Sequence, residues 1–425
     1  MRFSRRSVLA SLACASAWFG APFSRGSAQE GSDGDSFWDE IRHSRMVRNA
    51  DRMENTETAK GLVDTVEPIL SYDTAYNLQR AIENYAAFIA ARGSWNLPTE
   101  DWYGLSLGKR RRAVRELKLR LMVNGDMTPA PRTNDTFDDH LDAAVRLFQA
   151  RHGLAINGTV DEATYHALNV PTAHRLDQLR LNALRIEQWA SALTDRYVVV
   201  NIPAASIEAV EFSQVTQRHN AVVGKVDRQT PILNSKVHQI KFNPYWTVPK
   251  SIIRKDLIKY MNEDPEYLTK FRIRIYDGKG NELQPYEIDW STDDAVKYTF
   301  RQDPGAENSL GRCKIDFHNK HAVYLHDTPQ KGLFGESDRF FSSGCVRVEG
   351  VDHLVAWLLR DNGGWDVNSV NAMFASNETM EVPLSNQVPI HTTYITAWAN
   401  RQGTVSFRDD VYDFDRTGAA VLIDA

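Results

Sequence analysis

The sequence predicts a multidomain α+β protein, helical in its first part and mostly β in its second. Its 425 residues are enough for two or three domains, and 42% of them are apolar, which suffices for buried cores. Apolar residues recur at helical spacing in segments up to about residue 193, whereas alternation with a period of two begins at Tyr197. The net charge is −5, and no basic patch predicts a nucleic-acid partner.

The first 28 residues predict an export signal rather than part of the fold. Ser4-Arg5-Arg6-Ser7-Val8-Leu9 resembles a twin-arginine signal, followed by a modest apolar stretch and a small-residue cleavage site ending at Ala28. Lipoprotein processing at Cys14 is the weaker alternative, because no leucine stands three places before it. We therefore expect a periplasmic protein. No other segment approaches the roughly 18 apolar residues of a membrane span.

Residues 29–115 predict a helical scaffold, in which residues 71–92 carry apolar side chains at helical spacing. Residues 116–172 predict three short helices: one ends before Gly125, one ends before Gly153, and one is capped by Asp161. This pattern resembles the peptidoglycan-binding module of many wall enzymes. Binding of glycan and a role as a spacer stay equally open. Residues 173–194 predict a helix that links the module to the C-terminal half of the chain.

The remainder, residues 195–425, alternates in the manner of strands, with one interruption. The predicted strands include residues 197–202, 207–212, 221–224 and 237–242. The interruption, at about 251–300, contains an amphipathic helix at 252–260 and a strand at 271–276.

His326 and Cys345 are the predicted catalytic pair. A strand-like run leads into the histidine, and a Ser-Ser-Gly step precedes the cysteine 19 positions later. A free thiol is mostly protonated at neutral pH, and a neighbouring imidazole can take its proton, which leaves a thiolate that attacks carbonyl carbon. Gly344 allows a tight bend, so that sulfur and backbone N–H groups can face one atom of the substrate. Papain-like and NlpC-type peptidases have the opposite order, cysteine first.

These motifs resemble those of the L,D-transpeptidases, whose catalytic domain is called YkuD-type. The resemblance rests on His326, on Ser342-Ser343-Gly344-Cys345-Val346-Arg347 and on the upstream loop of residues 304–311. It implies a mostly β YkuD-type catalytic domain at 195–425 with an inserted α/β lid, joined to the three-helix peptidoglycan-binding module and the helical N-terminal region.

The resemblance also implies an activity. We expect Cys345 to form a thioester with a tetrapeptide stem and release D-alanine, while His326 moves the proton. Transfer to an amine of a second stem would make a 3-3 crosslink. Backbone groups around Gly344, Cys345 and Tyr324 are expected to hold the oxyanion. No cofactor and no metal are expected. Stem peptides are the expected donor and acceptor, carbapenems the expected inhibitors, and cell-wall synthases candidate partners.

Three further residues have candidate roles in substrate binding. Arg347 could bind a stem carboxylate through two hydrogen bonds, or form a structural salt bridge. Trp246 could line the cleft or lie in the core, and Ser343 precedes the bend before the nucleophile. His326 could be oriented by the Asp327 carboxylate or by a backbone carbonyl.

Other interpretations compete with this one. A disulfide between Cys313 and Cys345 would make the nucleophile structural, but Cys313 alternates with apolar residues as a buried strand residue does. His318, His321 and His326 could suggest a zinc hydrolase, although their spacing along a strand disfavours it. Sortase-type transpeptidation needs a longer gap and a motif that is absent. An L,D-carboxypeptidase would use the same two catalytic residues, and a non-catalytic wall-binding protein would use the module alone.

Overall fold

The computed structural model describes residues 53–130, 132–190 and 192–418, all within the unit Arg52–Ala425. The predicted export signal, Cys14 and the first part of the predicted scaffold lie outside these ranges. No helix in the described part of the chain is long and apolar enough to cross a membrane.

Residues 53–63 are helical, and the other α-helices are Tyr72–Arg92, Arg112–Asn124, Asp139–Arg151, Glu162–Leu168, Thr172–Ala190, Lys250–Ile252, Ile258–Glu263, Tyr267–Lys270, Val351–Leu359, Val367–Ser376 and Phe414–Thr417. A π-helical turn, Ile253–Leu257, joins two of these helices. Short 3-10 turns occur at Glu100–Trp102, Pro285–Glu287, Asp293–Lys297, Lys331–Gly335 and Arg360–Asn362.

The long N-terminal helix and the linker helix pack together against one face of the large C-terminal sheet. The Ser71 hydroxyl caps helix Tyr72–Arg92 by accepting from the Thr74 N–H at 3.1 Å. Leu78 of this helix and Ile186 of the linker helix share a buried cluster with strand residues of the C-terminal domain. Both helices were predicted within a few residues of their observed ends.

The predicted three-helix module has its own core. Its fully buried cluster includes Leu117 of the first helix and Leu141 and Phe148 of the second. The first helix ends at Gly125, whose φ of 82° is left-handed. The third is capped by Asp161, which accepts from the Thr164 N–H at 2.9 Å. The first helix begins at residue 112, four residues before the predicted boundary.

The C-terminal domain is built on one large sheet. Its strands are β1 (Arg196–Asn201), β2 (Ser206–Glu211), β3 (Gln214–Gly224), β4 (Leu233–Phe242), β5 (Trp246–Thr247), β6 (Ile273–Tyr276), β7 (Glu282–Leu283), β8 (Thr299–Gln302), β9 (Cys313–Phe317), β10 (Leu325–His326), β11 (Phe340–Ser342), β12 (Val346–Val348), β13 (Met380–Thr393), β14 (Ala397–Ala399) and β15 (Val405–Phe407). The order in the large sheet is β11-β3-β12-β10-β9-β4-β13-β1-β2. Because β2 also pairs with β3, the sheet closes on itself. The predicted α+β architecture is confirmed.

The stretch between β4 and β9 forms a separate layer, the lid. Four short strands pair in the order β5-β8-β6-β7. The helical turns between β5 and β6 pack on this sheet and bury a cluster that includes Leu257, Leu268 and Phe300. The predicted helix at 252–260 and strand at 271–276 both fall in this layer, which connects to the main sheet through β5 and β8.

Candidate active site

The pairing of β10 with β12 brings the predicted catalytic residues to one face of the sheet. The two strands run parallel, with Leu325 opposite Val346 and His326 opposite Arg347. Leu325 and Val346 point into the core. Since side chains alternate along a strand, His326 and Arg347 lie on the other face, and Tyr324 and Cys345 immediately precede the two strands. All four line a cleft of about 760 Å³ under the lid.

A tight turn presents Cys345 at the start of β12. Gly344 has a φ of 113°, which an L side chain rarely adopts. The Ser342 hydroxyl closes the turn by donating to the Cys345 carbonyl oxygen at 2.5 Å and accepting from the Gly344 N–H at 3.2 Å. The predicted bend at Gly344 is present. Its own N–H is engaged inside the turn, so Gly344 contributes the bend and not a donor toward a substrate oxyanion.

Burial raises the pKa of the Cys345 thiol above its ordinary value, and the backbone N–H and the hydroxyl of Tyr324 offset only part of this rise. The thiol is therefore neutral at pH 7. Burial likewise raises the pKa of the Tyr324 hydroxyl, which the Trp246 side chain partly opposes.

His326 is buried, with 5% of its surface exposed. Its Nδ1 lies 2.5 Å from the backbone carbonyl oxygen of Asp327. Because a carbonyl oxygen only accepts, Nδ1 carries the proton of the neutral ring and Nε2 carries the lone pair. Burial, aided by the Arg347 cation, lowers the pKa of His326 to about 3. The resting pair is a neutral thiol and a neutral imidazole.

The group that orients His326 is thus the Asp327 carbonyl and not its carboxylate. The carboxylate accepts from the Arg312 backbone N–H at 2.9 Å and pairs with Lys331. Sequence alone left these two possibilities open.

Arg347 projects into the cleft beside Cys345 and donates to Gln330 Oε1 at 2.6 Å. Within the described ranges its guanidinium forms no ion pair, and its buried Nε has no hydrogen-bond partner. The structural salt bridge that was one of the two predicted roles of Arg347 is therefore absent from these ranges. Arg347 instead places a cation in the cleft, as its other predicted role requires.

Residues 195–383 match the family of L,D-transpeptidase catalytic domains, and residues 110–168 match a family described as a putative peptidoglycan binding domain. The C-terminal part of the chain is thus similar to the catalytic domains of L,D-transpeptidases.

A putative L,D-transpeptidase of Haemophilus influenzae is 36% identical over 220 residues, which are 52% of this chain and 44% of that protein. The chain therefore spans less than half the length of this curated relative. The N-acetylmuramoyl-L-alanine amidase CwlM of Mycobacterium tuberculosis is 40% identical over 77 residues, or 16% of this chain and 19% of that protein. A solved L,D-transpeptidase from Stackebrandtia nassauensis is 12% identical, covering 71% of this chain and 97% of that one with a TM-score of 0.24.

Trp246 and Ser343 also line the cleft. Trp246 has both predicted positions, since it faces the cleft and packs against the core of the lid. Cys313 and Cys345 are free thiols, and Cys313 is buried in β9. Of the histidines considered for a zinc site, His318 stacks on His238 with ring centroids 4.0 Å apart.

Several contacts of the site could not be found from motifs. Lys314 of β9 lies opposite His326 in the sheet, and its Nζ is 4.2 Å from the centroid of the Tyr324 ring. The Tyr324 hydroxyl was missed because only the Tyr324 backbone was predicted to act. A signal was present: Tyr324 lies two residues before His326, on the same face of any strand that contains both.

Proposed function

We propose that this chain is a cysteine-dependent peptidoglycan L,D-transpeptidase that makes 3-3 crosslinks in the periplasm. The observation that carries the proposal is the common placement of His326, at the end of β10, and Cys345, immediately before the paired strand β12, in one covered cleft. The matched transpeptidase and peptidoglycan-binding families support the substrate class.

In the first half-reaction, the Cys345 thiol attacks the carbonyl carbon between the diamino acid and the terminal D-alanine of a tetrapeptide stem. The thiol proton passes to Nε2 of His326 as the sulfur–carbon bond forms. The Cys345 backbone N–H and a donor near Tyr324 hold the oxyanion. When the tetrahedral intermediate collapses, the imidazolium gives its proton to the leaving nitrogen, and D-alanine departs with a thioester left on Cys345.

In the second half-reaction, the side-chain amine of a second stem attacks the thioester carbonyl. His326 takes a proton from the attacking nitrogen and returns it to the departing sulfur, which restores the neutral pair. Arg347 binds a carboxylate of the stem, since it is a cation in the cleft without an ion pair among the described residues. The same thiol would open the ring of a carbapenem and keep the acyl group as a thioester.

The test is mass spectrometry of purified disaccharide-tetrapeptide incubated with the enzyme, with Cys345→Ala and with Cys313→Ala. A dimer that has lost one D-alanine, formed by the enzyme and by Cys313→Ala but not by Cys345→Ala, is the expected result. Tripeptide without dimer would replace the proposal with L,D-carboxypeptidase activity. If none of the three proteins forms a product, a non-catalytic wall-binding role would replace the proposal. An added meropenem mass on Cys345 but not on Cys313 is expected as well.

A further inference from the structure

The lid has a hydrophobic core of its own. Leu257, Met261 and Phe300 belong to a buried cluster that shares no member with the cluster under the main sheet, as far as the described residues show. The chain enters the lid at β5 and leaves it at β8, and these two strands pair with each other. A body with a separate core on a two-stranded connection can move as a unit unless other contacts hold it.

One polar contact joins the lid to the turn that carries the nucleophile. Asp256 lies in the π-helical turn of the lid, and its carboxylate accepts from both terminal nitrogens of Arg228, with Nη2 at 2.9 Å from Oδ1. The Nη1 atom also donates to Ser343 Oγ at 2.9 Å. Only 15% of the Arg228 side chain and 23% of Asp256 are exposed, so solvent screens this pair less than it screens a surface ion pair.

Arg228 itself is fixed relative to the nucleophile. It lies in the loop between β3 and β4, where Thr230 Oγ1 accepts from the Gly224 N–H and donates to the Gly344 carbonyl oxygen, both at 2.9 Å. A Cβ added to Gly224 would lie 2.3 Å from the Arg228 carbonyl oxygen, so the close approach of the loop requires glycine. The loop and the turn before Cys345 therefore form one rigid part, and the lid is the part that can move against it.

We infer that Arg228 is a positioning residue that couples closure of the lid to the alignment of the turn before Cys345. In the closed arrangement its guanidinium bridges Asp256 and Ser343. Opening of the lid breaks both bonds to the carboxylate and leaves Arg228 with the turn alone. The effect of Arg228 on the reaction rests on the proposed function. A closed lid keeps water from the thioester, so that an amine and not water is the acceptor.

The first experiment measures the position of the lid without using the reaction. Iodoacetamide alkylation of Cys345 is followed by intact mass in the full chain and in Arg228→Ala, Asp256→Ala and the double variant. Buried Cys313 reports unfolding in the same spectra. Each single variant should alkylate about tenfold faster, the factor expected for losing a hydrogen-bonded charge pair. The double variant should be no faster than the single variants, because both remove the same contact.

The matched control is Arg254→Ala, which breaks an ion pair that lies within the lid and is exposed, Arg254 Nε to Asp293 Oδ2 at 2.9 Å. Its alkylation rate should equal that of the unmodified chain. Rates that multiply in the double variant, a control as fast as Arg228→Ala, or an unchanged rate in Arg228→Ala would each overturn the inference.

The second experiment measures the ratio of tripeptide to crosslinked dimer from disaccharide-tetrapeptide. Arg228→Ala and Asp256→Ala should raise this ratio severalfold, whereas Arg254→Ala should leave it unchanged. Equal ratios in the unmodified chain and in all three variants would refute the role of Arg228 in acceptor choice. If the unmodified chain makes neither product, the proposed function fails, and the alkylation rates still decide whether Arg228 fastens the lid.

Discussion

Replacing Tyr324 with phenylalanine tests how much its hydroxyl lowers the pKa of the Cys345 thiol. The substitution removes one oxygen and retains the ring, the Tyr324 backbone N–H and the Lys314 cation, whose Nζ is 4.2 Å from the ring centroid. A hydrogen bond to a charged group contributes about 1.5–3 kcal/mol, and one pKa unit corresponds to about 1.4 kcal/mol. We therefore expect Tyr324→Phe to raise the pKa of the Cys345 thiol further.

The assay is the pH dependence of Cys345 alkylation by iodoacetamide. At neutral pH the thiolate population of Tyr324→Phe should fall about tenfold, while a thiolate of higher pKa is about threefold more nucleophilic, so the net rate falls about threefold. Tyr267→Phe is the matched control, because Tyr267 lines the same cleft and is not among the groups that shift the pKa of the Cys345 thiol. An unchanged or lowered thiol pKa in Tyr324→Phe, or an equal shift in the control, would refute the reasoning.

Three other substitutions test the fold and the site. Burial lowers the pKa of His391 to about 4, so protons bind the unfolded chain in preference to the folded chain as the pH falls from about 6.5 to 4. His391→Phe should therefore remove about 3 kcal/mol of acid destabilisation, measured by urea unfolding. Equal pH slopes for the two proteins would contradict this. Gly344→Ala places a side chain at a φ of 113°, which strains the backbone by about 1–3 kcal/mol. This strain should slow acylation of Cys345 about tenfold without unfolding the protein. An unaltered rate would show that the turn tolerates alanine. Arg347→Gln should raise KM for the tetrapeptide about tenfold while iodoacetamide alkylation stays within about twofold, and an unchanged KM would exclude Arg347 from substrate binding.

The catalytic pair could be proposed from sequence because residue type, order and spacing all bear on it. His326 and Cys345 lie 19 positions apart, and a glycine before a thiol predicts a bend in any fold. The helices were also predictable, since their caps are local: Ser71 and Asp161 each accept from an N–H three residues later.

The rest of the site depends on contacts between segments far apart in the chain. Arg228 meets Ser343 across 115 positions and Asp256 across 28, and no local pattern marks either contact. The orientation of His326 was undecidable for a related reason. The Asp327 carbonyl and carboxylate belong to one residue, and only the fold shows that the carboxylate is already engaged by the Arg312 N–H and Lys331.

Burial also decides how the catalytic pair works. It lowers the pKa of His326 to about 3 and raises that of the Cys345 thiol, so a charged resting pair would need solvation that a covered cleft does not supply. In the proposed mechanism the proton therefore moves as the sulfur attacks, when the substrate oxygen takes up the negative charge. An imidazolium of such low pKa then readily gives its proton to the leaving amine. Under the proposed mechanism the lid also keeps water from the thioester, so opening it should raise the reactivity of the thiol while lowering the yield of crosslinks.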